Sequence, residues 1–121
     1  MTQEEKQLLL VDLSSRLPYG VKGVITHNDD KNIFTIKGIF HILFLSDTNC
    51  CRVEDFKPYL FPLSSMTEEQ RAEYQYITER WMYDSSYSIG DSVDWLNKNH
   101  FDYRGLISAG AAIDATGLNI Y

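Results

Sequence analysis

VKGVITHNDDKNIFTIKGIFHILFLS, residues 21–46, decides the fold class. Val21 to His27 is rich in β-branched residues, Asn28 to Asn32 is a polar turn, and Ile33 to Ile36 resumes the β-prone pattern. Two such runs joined by a short polar loop predict a hairpin. Gly38 then marks a bulge or bend. Ile39 to Leu45 carries apolar residues on both alternating sets, the pattern of a central strand covered on both faces. Asp47, Thr48 and Asn49 end the strand region in a turn.

Helical spacing takes over on either side. Thr2 and Glu5 have the spacing of a capping box, and Leu9, Leu10, Leu13 and Leu17 form one apolar stripe up to the break at Pro18. Leu8 and Val11 lie off that stripe, so this first helix is expected to be covered on more than one side. Downstream, Arg52 to Phe56 reads as an edge strand. Pro58 and Pro62 argue against a helix and against a central strand across Tyr59 to Leu63, leaving an extended segment anchored by Tyr59, Leu60, Phe61 and Leu63. Thr67 with Gln70 repeats the capping box and opens a helix expected to reach about Tyr83, with Tyr74, Ile77 and Trp81 on its packing face. Asp91 is expected to cap a third helix ending near Asn99, with Ile89, Val93, Leu96 and His100 inward and Trp95 outward. Leu106 to Ala112 reads as one short helix, and the residues through Tyr121 as a tail. These readings give one α+β domain over residues 1–121. It has a small, mostly antiparallel sheet of three to four strands, one N-terminal helix and two to three C-terminal helices, all packed on one face.

Charge and composition narrow the function classes. The 121 residues are 44% hydrophobic and 23% charged, an ordinary globular balance, and the formal net charge is −6. Residues 66–94 hold seven acids and two bases, while the first 65 residues are nearly balanced. Such a chain gains nothing from phosphate backbones, so direct nucleic-acid binding is disfavoured. Cys50 and Cys51 are adjacent, with no C-x-x-C, which argues against a disulfide framework or structural zinc and fits a reducing, cytoplasmic setting. The longest apolar run is far too short to span a bilayer, so no membrane association is expected. No Walker A loop, dinucleotide-binding glycine pattern or G-x-S-x-G occurs, and no cofactor is expected.

Two groups of residues stand out. Glu68, Glu69, Glu73 and Glu79 share a segment with Tyr76, Tyr83 and Trp95, a coincidence of charge and aromatic rings that fits a docking surface for a basic protein partner. The plainer reading is a solvated helix face beside a broad core. His100, Asp102, Tyr103 and Arg104 are the densest reactive cluster. A His with a nearby carboxylate can move protons, and an Arg can hold an anion. The plainer reading is a helix C-terminus whose cations complement the dipole while Phe101 and Tyr103 plug the core. Asn28, Asp29 and Asp30 lack the rest of a calcium loop, and His27, His41 and His100 lack zinc spacing, so no metal site is expected.

Three segments also carry a resemblance: KQLLLVDLSSRLPYGVK (6–22), KPYLFPLSSMTEEQ (57–70) and DWLNKNHFDYRGLI (94–107). Together they resemble a family of short, uncharacterised proteins common in gut Bacteroides genomes, prophages and phages. The resemblance covers most of the chain and implies a mobile-element context inside a bacterium, with no catalytic residues to carry over. The leading expectation is a non-catalytic protein-interaction module. The alternatives are a small enzyme or ligand-binding domain using His100, Asp102 and Arg104, and an acidic decoy of a DNA-binding host protein.

Overall fold

A computed structural model of the chain describes residues 2–25, 33–36, 56–80, 82–83 and 88–121. The expected strand at 39–45, the 28–32 turn, His27, His41, both cysteines, Trp81 and Tyr87 lie outside the described residues.

Helix α1 (Gln3–Ser15) is N-capped by Thr2, whose Oγ1 accepts from the Glu5 N–H at 3.1 Å, the first of the two bonds of the expected box. A 3-10 turn at Leu17–Tyr19 carries Pro18, and Gly20 closes it in the left-handed region at φ 68°. Strand β1 (Lys22–Ile25) pairs antiparallel with β2 (Phe34–Thr35), the expected hairpin. Strand β3 (Phe56–Pro62) leads through a 3-10 turn, Leu63–Ser65, into α2 (Glu68–Arg80). There Thr67 Oγ1 accepts from Gln70 N–H while Gln70 Oε1 accepts from Thr67 N–H, at 3.1 and 3.0 Å. Helix α3 (Ile89–Lys98) is capped by Ser88 rather than Asp91, whose carboxylate accepts from the Ser88 N–H at 2.6 Å. Two short strands follow, β4 (Phe101–Asp102) and β5 (Ile113–Asp114). Residues 106–110 form turns rather than the expected helix, because Gly105 and Gly110 both sit in the left-handed region, at φ 75° and 76°, and interrupt the helical backbone on either side.

The sheet is mixed rather than mostly antiparallel. β3 runs antiparallel to β1 but parallel to both β4 and β5. The cause is connectivity: α2 and α3 lie between β3 and β4, and a helical crossover returns the chain in the same direction. β3 is also the hub of the sheet, although it contains both prolines. Backbone groups alternate along a strand, so residues 58, 60 and 62 address one edge and 57, 59 and 61 the other. The Leu60 carbonyl accepts from Ala115 N–H on the β5 edge at 2.8 Å, and Phe61 N–H donates to the His100 carbonyl on the β4 edge at 2.8 Å. Pro58 and Pro62 therefore flank the two-residue contact with β5, just beyond the reach of its ladder. The proline rule holds for each N–H site, not for the strand as a whole. On the other edge β1 meets Lys57 and β4 meets Phe61, leaving Tyr59 between them.

Two apolar clusters hold these elements. Leu9 and Leu13 of α1 join Val21, Ile36, Phe56, Leu60, Leu106, Ala111 and Ala112. Trp95, Leu96 and Phe101 form the second, with Phe61, Met66, Tyr74 and Ile77 against them. Leu60 and Phe61 are neighbours on β3 whose side chains take opposite faces, and they fall in different clusters. Helix α1 contributes to the first cluster, and α2 and α3 contribute to the second. Gly23 permits the β1–β3 contact, since a Cβ there would overlap the Phe56 ring and the Lys57 carbonyl.

Candidate functional site

Helix α2 buries none of its residues. It is mounted through half-buried Tyr74 and Ile77 and a hydroxyl contact of 3.2 Å between Thr78 and Ser92 of α3. At about 100° per residue, Glu68, Glu69, Tyr76 and Glu79 fall on the half of the helix turned away from Tyr74 and Ile77, while Glu73, one turn before Ile77, flanks the packing face. All five are exposed. Just past the helix, Tyr83 is 83% exposed, and Tyr76 is 51% exposed. Arg80 lies over the Tyr76 ring at 4.7 Å, and Gln75 donates to Glu79 at 2.9 Å. Tyr76, Glu79, Arg80 and Tyr83 line a shallow groove of about 290 Å³. Of the residues expected on this surface, the groove joins Tyr76, Glu79 and Tyr83, while Glu68, Glu69 and Glu73 are exposed nearer the start of the helix.

Trp95 is only 7% exposed. Its ring stacks on Phe101 at 5.6 Å with 11° between planes and meets Tyr74 at 5.5 Å. The buried face of α3 runs through Ser92, Trp95, Leu96 and Asn97, and Val93 is exposed instead. The expected outward placement of Trp95 is corrected accordingly. The small Ser92 lets α2 approach, which turns Trp95 inward beneath it.

The residues at 100–104 go to separate places. His100 sits at φ 63°, with its ring stacked on Tyr121 at 3.6 Å and 11°. Burial first, then Arg16 and Lys22, lowers its pKa to about 4, so the ring is neutral near pH 7. Its Nδ1 is buried without a hydrogen-bond partner. Asp102 spends both carboxylate oxygens on the Leu106 and Ile107 N–H groups, at 3.0 and 2.9 Å. Arg104 turns back to Asp12 Oδ1 at 2.7 Å and lies over the Tyr103 ring at 4.5 Å, while the Tyr103 hydroxyl donates to Asn97. His100, Asp102 and Arg104 thus turn to different neighbours: the Tyr121 ring, the Leu106 and Ile107 amides, and Asp12.

Sequence reasoning missed the group Arg104 joins. Asp12 on α1 and Arg16 at its C-cap are completely buried. Arg16 grips both Asp12 oxygens, at 2.8 and 3.1 Å, and donates to the Phe101 carbonyl at 2.6 Å, so α1 is tied to β4. Two guanidiniums share one carboxylate, each donating to its oxygens. The signal was present in the sequence: Leu9, Asp12, Leu13 and Arg16 fall at i, i+3, i+4 and i+7, with acid and base one turn apart.

A second cavity, of about 240 Å³, lies beside the N-terminus of α2 among Phe61, Ser65, Thr67, Gln70, Phe101 and Thr116. It holds none of the expected site residues and falls below the size of common small-molecule sites. Among the described residues no group of three metal-ligating side chains occurs, and no helix is long and apolar enough to cross a membrane. Comparison with protein-family models, with curated proteins and with solved structures finds no match.

Proposed function

We propose that this chain is a non-catalytic protein-interaction module that binds a basic protein segment along the outer face of α2. The observation that carries the reading is a capped thirteen-residue helix with no buried residue, whose exposed side chains combine Glu68, Glu69, Glu73 and Glu79 with Tyr76 and Tyr83. Carboxylates of one sign steer a cationic partner, and large rings give it desolvated contact area. Met82, also exposed, extends the apolar part past the helix end. The resemblance to short phage and Bacteroides proteins supports a mobile-element setting in the bacterial cytoplasm, where the partner would be a host or element protein.

Titrating the full chain with an amphipathic Lys/Leu decapeptide, followed by NMR, tests the reading. Shifts are expected to concentrate on residues 68–83 and to fade as salt rises. Binding should weaken at least tenfold in the Tyr76→Ala/Tyr83→Ala double variant, which removes only exposed rings. Equal binding by the folded variant, or shifts centred elsewhere, contradicts the reading.

A further inference from the structure

β1 and β4 share one edge of β3 but do not meet, and the gap falls at Tyr59. The Tyr121 hydroxyl fills it, accepting from the Lys22 N–H and donating to the Tyr59 carbonyl, both at 2.8 Å. One side-chain oxygen thus replaces a missing rung of the ladder. The Tyr121 ring covers His100, leans on Phe61 at 6.0 Å and lies under the Lys22 ammonium at 5.7 Å. Lys22 Nζ also donates to the Ile120 carbonyl at 3.0 Å, and Ala115 N–H holds the other end of the segment at Leu60. Between these ties Leu118 and Asn119 are exposed, and Tyr121 itself is 41% exposed. A segment with few ties and an open outer side belongs to the part of a protein that opens at low free energy.

We propose that residues 115–121 form a strap that opens and closes over the junction of β1, β3 and β4, and that its closure is linked to the protonation of His100. The closed strap buries an imidazole whose Nδ1 has no acceptor to stabilise an added proton. The charged groups acting on that ring are Arg16 from α1 and Lys22 from β1, both cations, and Tyr121 from the strap stacks on it. Asp12, the carboxylate that acts on Tyr121, is held by Arg16 and Arg104. Protonating His100 under the closed strap therefore places three positive charges together.

The sign follows from linkage. With the strap closed, burial and then Arg16 and Lys22 hold the pKa of His100 at about 4 against an ordinary 6.5, so closure is fully favoured above 6.5 and is lost progressively as the pH falls towards 4. If opening restored the ordinary imidazole value, the open fraction would rise by up to about 30-fold between pH 7.5 and pH 5.

Amide hydrogen exchange on the full chain, corrected for intrinsic rates, reads this directly. The Lys22 amide, bonded to the Tyr121 hydroxyl, should lose up to about 30-fold of its protection over that range. The Ile36 amide, bonded to the Val21 carbonyl at 2.9 Å, should not change. In His100→Asn, a residue that tolerates positive φ and does not titrate, the Lys22 amide should show no such pH dependence. Tyr121→Phe keeps the ring and removes the bridge, so Lys22 should already be poorly protected at pH 7.5. Constant protection in the wild type, the same fall in His100→Asn, or full protection in Tyr121→Phe would each overturn the proposal.

Discussion

Helices α1 and α2 are each thirteen residues long, and each is capped by a threonine hydroxyl. Their fates differ. α1 buries Leu9, Asp12 and Leu13, with Arg16 buried at its C-cap, whereas α2 buries nothing and rests on Tyr74, Ile77 and Thr78. Caps and propensity decide that a helix forms and where it starts, but the pattern of hidden residues decides whether it is core or appendage.

Substitutions can break this comparison at graded depths. Asp12→Ala should cost most, about 3–5 kcal/mol, because it leaves Arg16 and Arg104 without their shared carboxylate in a dry site. Chemical denaturation would measure the loss. Leu13→Ala should cost about 2–4 kcal/mol through the cavity it opens in the first cluster. On α2, Ile77→Ala should cost about 1–2 kcal/mol, since half-buried surface is lost rather than core. Thr67→Ala, which removes one cap, should cost about 1 kcal/mol, a fall of about 4 °C in melting temperature by calorimetry. Tyr76→Ala should stay within about 0.5 kcal/mol of wild type. A large destabilisation by Tyr76→Ala would make α2 a core helix and end the comparison.

Local chemistry made parts of this fold legible before the structure. The N-cap at Thr2, the capping box at Thr67, the proline stop after α1, the first hairpin and the exposed acidic face of α2 rest on contacts within four residues or on one short loop. What was not legible depends on distant partners. The prolines of β3 argued against a central strand because only the structure shows that β5 pairs with Tyr59 and Leu60, between the two prolines. The mixed sheet arises from a crossover whose closure no local pattern encodes. Val93 was read as the inward residue of α3 and Trp95 as the outward one because Ser92 does not look like a packing position. Its partner, Thr78, lies on another helix. Residues through Tyr121 read as a tail because the ties of that side chain reach Lys22 and Tyr59, far along the chain. Of the candidate site, the surface group was readable as a surface and the 100–104 cluster was not, since nearness in sequence said nothing about where those side chains turn.

Native-state hydrogen exchange across both helices in one experiment probes the division most directly. If α1 is core and α2 is mounted on its edge, the amides around Leu13 should exchange only through global unfolding. Those around Tyr76 and Thr78 should exchange through local opening at least about 2 kcal/mol easier. Equal opening free energies in the two helices would mean that α2 is held as firmly as α1, and its free face could not then be set apart from the core as a docking surface.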